Sequence, residues 1–192
     1  THRQRLNNLA NQEWHSDSSF KKIPSKMSIL SAKMIPSLGG NTEFLSMRAS
    51  YNALPQELKL KIDDKICWHD YSHGRSKIDP NLVTPEEKQA LPPVKQKLVL
   101  SDNKHGKSLY LGAHCRNVDG MSENDSNALL AEINSYIDTE KFIYSHVWEP
   151  FDLIMWDNRA VLHRATPIKG KIEKRLMVRT TVAGQTSTIN EN

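Results

Sequence analysis

Asp152-Leu153-Ile154-Met155-Trp156-Asp157-Asn158-Arg159-Ala160-Val161-Leu162-His163 is the stretch that decides the fold. Two short apolar runs flank a polar turn, and runs of this length read as strands rather than helices. Upstream lies Phe142-Ile143-Tyr144-Ser145-His146-Val147-Trp148 and downstream Leu176-Met177-Val178-Arg179-Thr180-Thr181-Val182, with Glu149-Pro150 and Lys169-Gly170 as breakers between them. Strands at this spacing predict a barrel or jelly roll with helices covering its outside.

Working toward the N-terminus, residues 26–35 are apolar and stop at Pro36, ahead of Gly39-Gly40-Asn41, which predicts a buried strand and a turn. Phe44, Met47, Tyr51 and Leu54 recur at helical steps, and Leu58, Ile62 and Ile66 continue the pattern after Pro55. Two amphipathic helices are expected there, the second started by Pro55, where the missing N–H costs nothing. Residues 69–97 are polar and punctuated by Asp79-Pro80 and Pro92-Pro93, with one short helix announced by Thr84, Pro85 and Glu87. Such a stretch reads as a lid or an insert. Lys107–His114 reads as a short strand, and Ser122 caps a helix that gathers Leu129, Leu130, Ile133 and Ile137 on one face. The tail from Gln185 is polar and expected to fray.

The 192 residues suit one domain, 1–192, with a sizeable core. Lys+Arg 26 against Asp+Glu 22 leaves only +4, with no long basic run, so a dedicated nucleic-acid binder is excluded and small anions are the fitting partners. No window is long and apolar enough to span a membrane. The two cysteines, Cys67 and Cys115, read as free thiols of a reducing, cytoplasmic compartment, with an isolated disulfide as the alternative. The chain starts at Thr1 rather than Met, and Thr1–Arg5 contain no apolar leader, so any address ahead of them is unread.

Three constellations could carry chemistry. On an extended chain His15 and Asp17 point to one face, about 7 Å apart, while Ser16 faces away. Alone this pair is weak, and an exposed polar strand end explains it equally. His163 stands in an apolar run, where a lone histidine is usually a hydrogen-bonded core residue. Together the three form the set of two imidazoles and one carboxylate that binds Fe(II) on one face and leaves other positions open. Arg175 and Arg179 are four apart, which puts them on one face of either a strand or a helix; the β-branched run favours a strand. Arg175, Met177, Arg179 and Thr181 would then face inward, and Leu176, Val178, Thr180 and Val182 outward beneath helices. Interior arginines need an anion each, either a bound carboxylate or an Asp or Glu of the chain.

In this order, His15-x-Asp17, Gly39-Gly40-Asn41-Thr42-Glu43-Phe44, Trp156-Asp157-Asn158-Arg159 with His163, and Arg175 and Arg179 before Thr181-Val182-Ala183-Gly184 resemble the TauD/TfdA family of iron- and 2-oxoglutarate-dependent dioxygenases. The likeness runs from about Asn11 to Gly184. Trp14-His15-Ser16-Asp17-Ser18-Ser19-Phe20 and Lys107-Ser108-Leu109-Tyr110-Leu111 look like the branch that oxidises phenoxyacetate herbicides. The resemblance implies a mainly β fold with flanking helices around a double-stranded β-helix (jelly-roll) core, lacking here the N-terminal segment that relatives carry ahead of the first motif. It implies that His15, Asp17 and His163 ligate Fe(II), that Arg175 and Thr42 hold the distal carboxylate of 2-oxoglutarate, and that Arg179 faces an anionic substrate. Asn11 and His114 fall where relatives contact substrate. Position 151, Phe here, is Gly in many relatives. The implied reaction couples O2 and 2-oxoglutarate to hydroxylation of a small carboxylate, sulfonate or sulfate ester, releasing succinate and CO2. Related halogenases carry a small residue in place of the carboxylate, so Asp17 favours hydroxylation. A zinc hydrolase using the same three ligands, and a barrel that binds without turnover, are the alternatives. Relatives commonly self-associate, although no residue pattern here sets an oligomeric state.

Overall fold

The computed structural model describes residues 2–137, 139–169 and 174–191. In chain order the elements are α1 (His2–Ala10), β1 (Ser25–Met34), β2 (Thr42–Ser46), α2 (Met47–Ala53), α3 (Gln56–Ile62), β3 (Ile66–His69), α4 (Tyr71–Ser76), α5 (Pro85–Ala90) and β4 (Val94–Lys97). β5 (Val99–Asp102), β6 (Gly106–Leu109), β7 (Cys115–Val118), α6 (Glu123–Ile137), β8 (Ile143–His146), β9 (Leu153–Asp157), β10 (Val161–Ala165) and β11 (Leu176–Ala183) follow. The strands predicted over 142–182 are all present. Gly170 of the expected Lys169-Gly170 breaker lies outside the described residues.

Two antiparallel three-stranded sheets, ordered β11-β1-β9 and β10-β2-β8, face each other. Their inner faces meet where Phe44 of β2 packs against Trp156 of β9 at 5.3 Å between ring centres and His163 of β10 lies 4.7 Å from the same indole. A third sheet, β4-β3-β7, and the β5-β6 hairpin make up the rest of the β structure among the described residues. Helices back the β10-β2-β8 sheet. Leu45, Met47, Tyr51, Leu58, Ile62 and Leu162 form one buried cluster with Leu129, Ile133 and Ile137 of α6, whose four-residue spacing lays them on a single face.

Several local expectations change. Phe44 lies on β2, not on a helix: Ser46 caps α2 by accepting from Ala49 N at 3.2 Å, so the apolar spacing runs across a strand-to-helix junction. Ile66 likewise opens β3, because α3 ends at Ile62. Residues 69–97 hold two helices and a strand instead of one helix. α5 carries the capping box expected of Thr84 and Glu87, and β4 pairs with β3. The tail is docked rather than frayed: Thr188 is buried, its hydroxyl donating to Gln96 Oε1 at 2.6 Å and accepting from Lys97 N at 3.0 Å.

The outer face of β11-β1-β9 departs most from expectation. Leu153, Met155, Leu176, Val178 and Val182 point outward, as the alternation requires, but they are 46 to 67% exposed, so among the described residues no helix covers them. Phe151, in the turn before β9, has φ of 71°, a conformation that suits glycine, and its ring is exposed. Cys67 and Cys115 are both buried and unlinked. No helix among the described residues is long and apolar enough to cross a membrane.

Candidate metal centre and anion site

His15 and His163 meet across an isolated antiparallel bridge, with N to O distances of 3.1 and 2.9 Å in the two directions. The backbone therefore fixes both imidazoles, and their ring centres lie 4.2 Å apart. Past His15 the chain turns at Ser18, where φ is 56°. Asp17 comes to the same spot: its Oδ1 is 4.0 Å from His15 Nε2 and its Oδ2 is 3.8 Å from His163 Nε2. One donor atom from each of the three lies within 4.8 Å of the others, and all three residues are buried.

The protonation pattern fits a divalent metal. His15 Nδ1 is 2.8 Å from the Glu13 carbonyl, which only accepts, so the proton sits on Nδ1 and the Nε2 lone pair faces Asp17. Burial holds the His15 pKa below the usual imidazole value, with the Asp17 charge opposing, and burial followed by the neighbouring His15 holds His163 lower still. Neutral imidazoles beside one carboxylate are a donor set for Fe(II) or Zn(II).

The candidate anion site centres on Arg175. Arg175 precedes β11, and its Nε donates to Gly40 O at 2.9 Å while Nη2 donates to Thr42 Oγ1 at 3.1 Å. Gly40 has φ of 68°, and a Cβ there would come within 3.2 Å of Arg175 Cδ, so this turn has room only for glycine. Trp148 Nε1 also donates to Thr42 Oγ1, at 3.0 Å, and its ring lies 5.9 Å from the guanidinium carbon of Arg175. Both acceptors of Arg175 are neutral oxygens, and burial lowers its pKa. Arg179 is different. Its Nη1 donates to Asp17 Oδ1 at 2.6 Å, so the pairing with an acidic side chain that the sequence left open is realised here.

A cavity of about 170 Å³ joins these groups, lined by Asn11, His15, Thr42, His163, Arg175 and Arg179, with Met177 between the arginines. Seven of the eight candidate residues therefore surround or adjoin one space. His114 does not line it: α4 lies over its ring, Gly74 approaching so closely that a Cβ would sit 2.5 Å from His114 Nδ1, and Phe20 packs on it at 4.8 Å. A larger cleft, about 470 Å³, opens near Lys107 and Arg159, but those cations are already paired with Asp63 and Glu191. Trp148, Ser28 and Asn158 touch the site residues and were given no role by the sequence; a serine in a strand and a tryptophan and an asparagine in the connections between strands carry no signal of which polar atom they will meet.

Facing antiparallel sheets with two histidines and an aspartate between them define a class of metal-binding β fold. The comparisons are specific: residues 1–181 match the family described as "Taurine catabolism dioxygenase TauD, TfdA family", and the chain belongs to that family. It is 40% identical over 163 residues to the alpha-ketoglutarate-dependent 2,4-dichlorophenoxyacetate dioxygenase of Cupriavidus pinatubonensis, covering 84% of this chain and 57% of the relative. It is 30% identical over 181 residues to the (S)-phenoxypropionate/alpha-ketoglutarate-dioxygenase of Sphingobium herbicidovorans, covering 91% of this chain and 63% of that one. The crystal structure of AAD-2 in complex with Mn(II) and N-oxalylglycine is similar at a TM-score of 0.88 and 43% identity, over 98% of this chain and 73% of its own. The chain thus spans less than two thirds of the length of these curated relatives.

Proposed function

We propose that this chain is an Fe(II)- and 2-oxoglutarate-dependent dioxygenase that hydroxylates a small anionic organic molecule, releasing succinate and CO2, and that its two facing sheets are a double-stranded β-helix. The observation that carries the reading is the buried triad of His15, Asp17 and His163 sharing one cavity with Arg175, a guanidinium whose hydrogen bonds end on neutral oxygens. A zinc hydrolase would use the triad and leave Arg175 without a purpose.

His15, Asp17 and His163 would hold the metal. When bound, iron and 2-oxoglutarate supply the oxidative decarboxylation and the oxidising equivalents; the chain binds, orients and shields. Arg175, whose hydrogen bonds end on Gly40 O and Thr42 Oγ1, holds the far carboxylate of the cosubstrate. Thr42 assists, because its hydroxyl accepts from both Arg175 and Trp148 and so has its own proton left to donate. Arg179 is half exposed in the same cavity and faces the anionic group of the primary substrate, with Asn11 also lining that space. The names of the two relatives, a phenoxyacetate and a phenoxypropionate dioxygenase, favour an aryloxy carboxylate.

The test is a panel of aryloxyacetates, aryloxypropionates, alkylsulfonates and sulfate esters, incubated with the full chain, Fe(II), 2-oxoglutarate and air while succinate is measured. At least one anion should raise succinate release several-fold over the substrate-free rate. Hydrolytic turnover supported by Zn(II), with no succinate in any Fe(II) reaction, would overturn the reading.

A further inference from the structure

Asp17 is tied from behind by two side chains that touch no other candidate ligand. Ser28, fully buried at the centre of β1, donates its hydroxyl to Asp17 Oδ2 at 2.7 Å. Asn158, 1% exposed in the β9–β10 turn, donates Nδ2 to Ser28 Oγ at 2.7 Å. Its Oδ1 accepts from Trp156 Nε1 at 3.0 Å and from the Asp17 backbone N–H at 3.3 Å. The Asn158 backbone is held as well, its carbonyl accepting from Ser16 Oγ at 2.8 Å and its N–H donating to Lys26 O at 2.9 Å.

The direction of every bond in this chain is fixed by chemistry. An indole N–H and a peptide N–H only donate, so the atom of Asn158 that meets them is the oxygen, and the amide nitrogen must face Ser28. That nitrogen only donates, so Ser28 Oγ accepts from it and spends its single proton on Asp17. With Arg179 donating to Oδ1 at 2.6 Å, the carboxylate is locked in one rotation from both sides: Ser28 caps one side of Oδ2, and the same asparagine grips the Asp17 backbone. The register agrees: Ser28 sits opposite Trp156 across β1 and β9, so both point inward behind the triad.

We propose that Ser28 and Asn158 are positioning residues for a divalent metal, acting as one relay that presents the Asp17 carboxylate in a single orientation. The inference rests on the metal-site reading above and adds residues to it that touch neither metal nor substrate. Outer partners of ligating carboxylates typically set metal affinity by 10- to 100-fold.

The experiment measures Mn(II) binding to the full metal-free chain by the free-ion electron paramagnetic resonance signal, with thermal melting as the check on folding. Ser28→Ala should weaken Mn(II) binding about 10- to 100-fold. Asn158→Ala should weaken it comparably, and the double variant by less than the product of the two single losses, because both share the path through Ser28 while Asn158 also makes one direct bond to the Asp17 N–H. Ser108→Ala is the control, since it removes another buried hydroxyl, bonded to the Arg159 carbonyl at 2.8 Å, and should leave Mn(II) affinity within about two-fold. If Ser28→Ala loses its cooperative melt, Ser28→Cys replaces it, with a weak S–H donor and an intermediate loss expected. Affinity in the Ser28 variant equal to that in Ser108→Ala, or additive losses in the double variant, would sink the relay. Should Asp17→Ala bind Mn(II) as well as the unaltered chain, the metal site itself is refuted; if only Asp17→Ala weakens binding, the site stands and the relay alone is refuted.

Discussion

The two facing sheets differ in what lies behind them. β10-β2-β8 is backed by α2 and α6, and its Leu45 and Leu162 are all but inaccessible. β11-β1-β9 turns Leu153, Met155 and Val178 to solvent at 50 to 67% exposure. Their inner faces share the cavity in unequal roles: the supported sheet carries His163 and Thr42 and grips His15 through the bridge, whereas the bare one carries Ser28 and both arginines. Helix backing thus falls on the sheet that carries His163 and grips His15, two of the three candidate metal donors, although Thr42 shares that sheet and Ser28 stands on the bare one. Under the proposed roles, the long, charged side chains of Arg175 and Arg179 on the bare side tolerate more movement than metal donors do. Leu153, Met155, Leu176, Val178 and Val182 all stand exposed on this outer face.

The strongest test of this division is Asp17→Ala, since Asp17 is the point at which both sheets converge. Succinate formation with Fe(II) should fall by at least about 1000-fold, with the far-UV spectrum unchanged, because one of three ligands and the anchor of the relay are lost together. Full turnover would mean that the triad is only a structural cluster. Next in size is the contrast in stability between the sheets. Leu45→Ala should cost about 2–5 kcal/mol in chemical denaturation, whereas Val178→Ala on the bare face should stay within about 0.5 kcal/mol. A large loss at Val178 would show that this face is covered in solution.

How much of this the sequence disclosed depends on the kind of signal. Strands β8 to β11 were legible because short β-branched runs between breakers have few other readings. The triad was legible only as a combination: His15-x-Asp17 is common by chance, and the bridge to His163 is a long-range pairing that local spacing does not encode. Phe44 was misplaced because a strand feeding a helix can mimic helical periodicity. The bare outer face could not be foreseen, since alternation tells which side chains point outward and says nothing of what meets them. Ser28 and Asn158 were invisible as partners for the same reason.

Acid should act first outside both facing sheets, through His69 of the third sheet, β4-β3-β7. This ring is fully buried on β3, stacked on Tyr110 at 5.4 Å, and burial lowers its pKa to about 4. In the unfolded chain it titrates near 6.5, so between the two values the unfolded state binds more protons and stability falls as pH falls. The contribution is complete above about pH 6.5 and is lost progressively down to about pH 4, a total of about 3 kcal/mol. His15 and His163, also lowered, push in the same direction. Replacing His69 with Phe, which keeps the stacking and cannot charge, should flatten that window by most of this amount in denaturation curves taken from pH 7 to pH 4. An unchanged slope would mean that acid sensitivity resides elsewhere.

The smallest effects test whether the labour is divided within the cavity. Arg175→Met removes the cation while keeping much of its apolar length, and should raise the KM for 2-oxoglutarate about 100-fold, with Mn(II) affinity nearly unchanged. Thr42→Val stands on the supported sheet yet serves the anion. Its hydroxyl accepts from Arg175 and Trp148 and sends its proton into the cavity, so the loss should raise the same KM about 10-fold. Part of that change comes from the ligand and part from the unpaired Arg175 and Trp148 donors, and the double variant separates them. If Arg175→Met and Thr42→Val together cost no more than Arg175→Met alone, Thr42 acts by aiming the guanidinium; if the effects multiply, its proton meets the carboxylate directly. Either result leaves the metal untouched, whereas a matching fall in Mn(II) affinity would show that the two halves of the site are mechanically one.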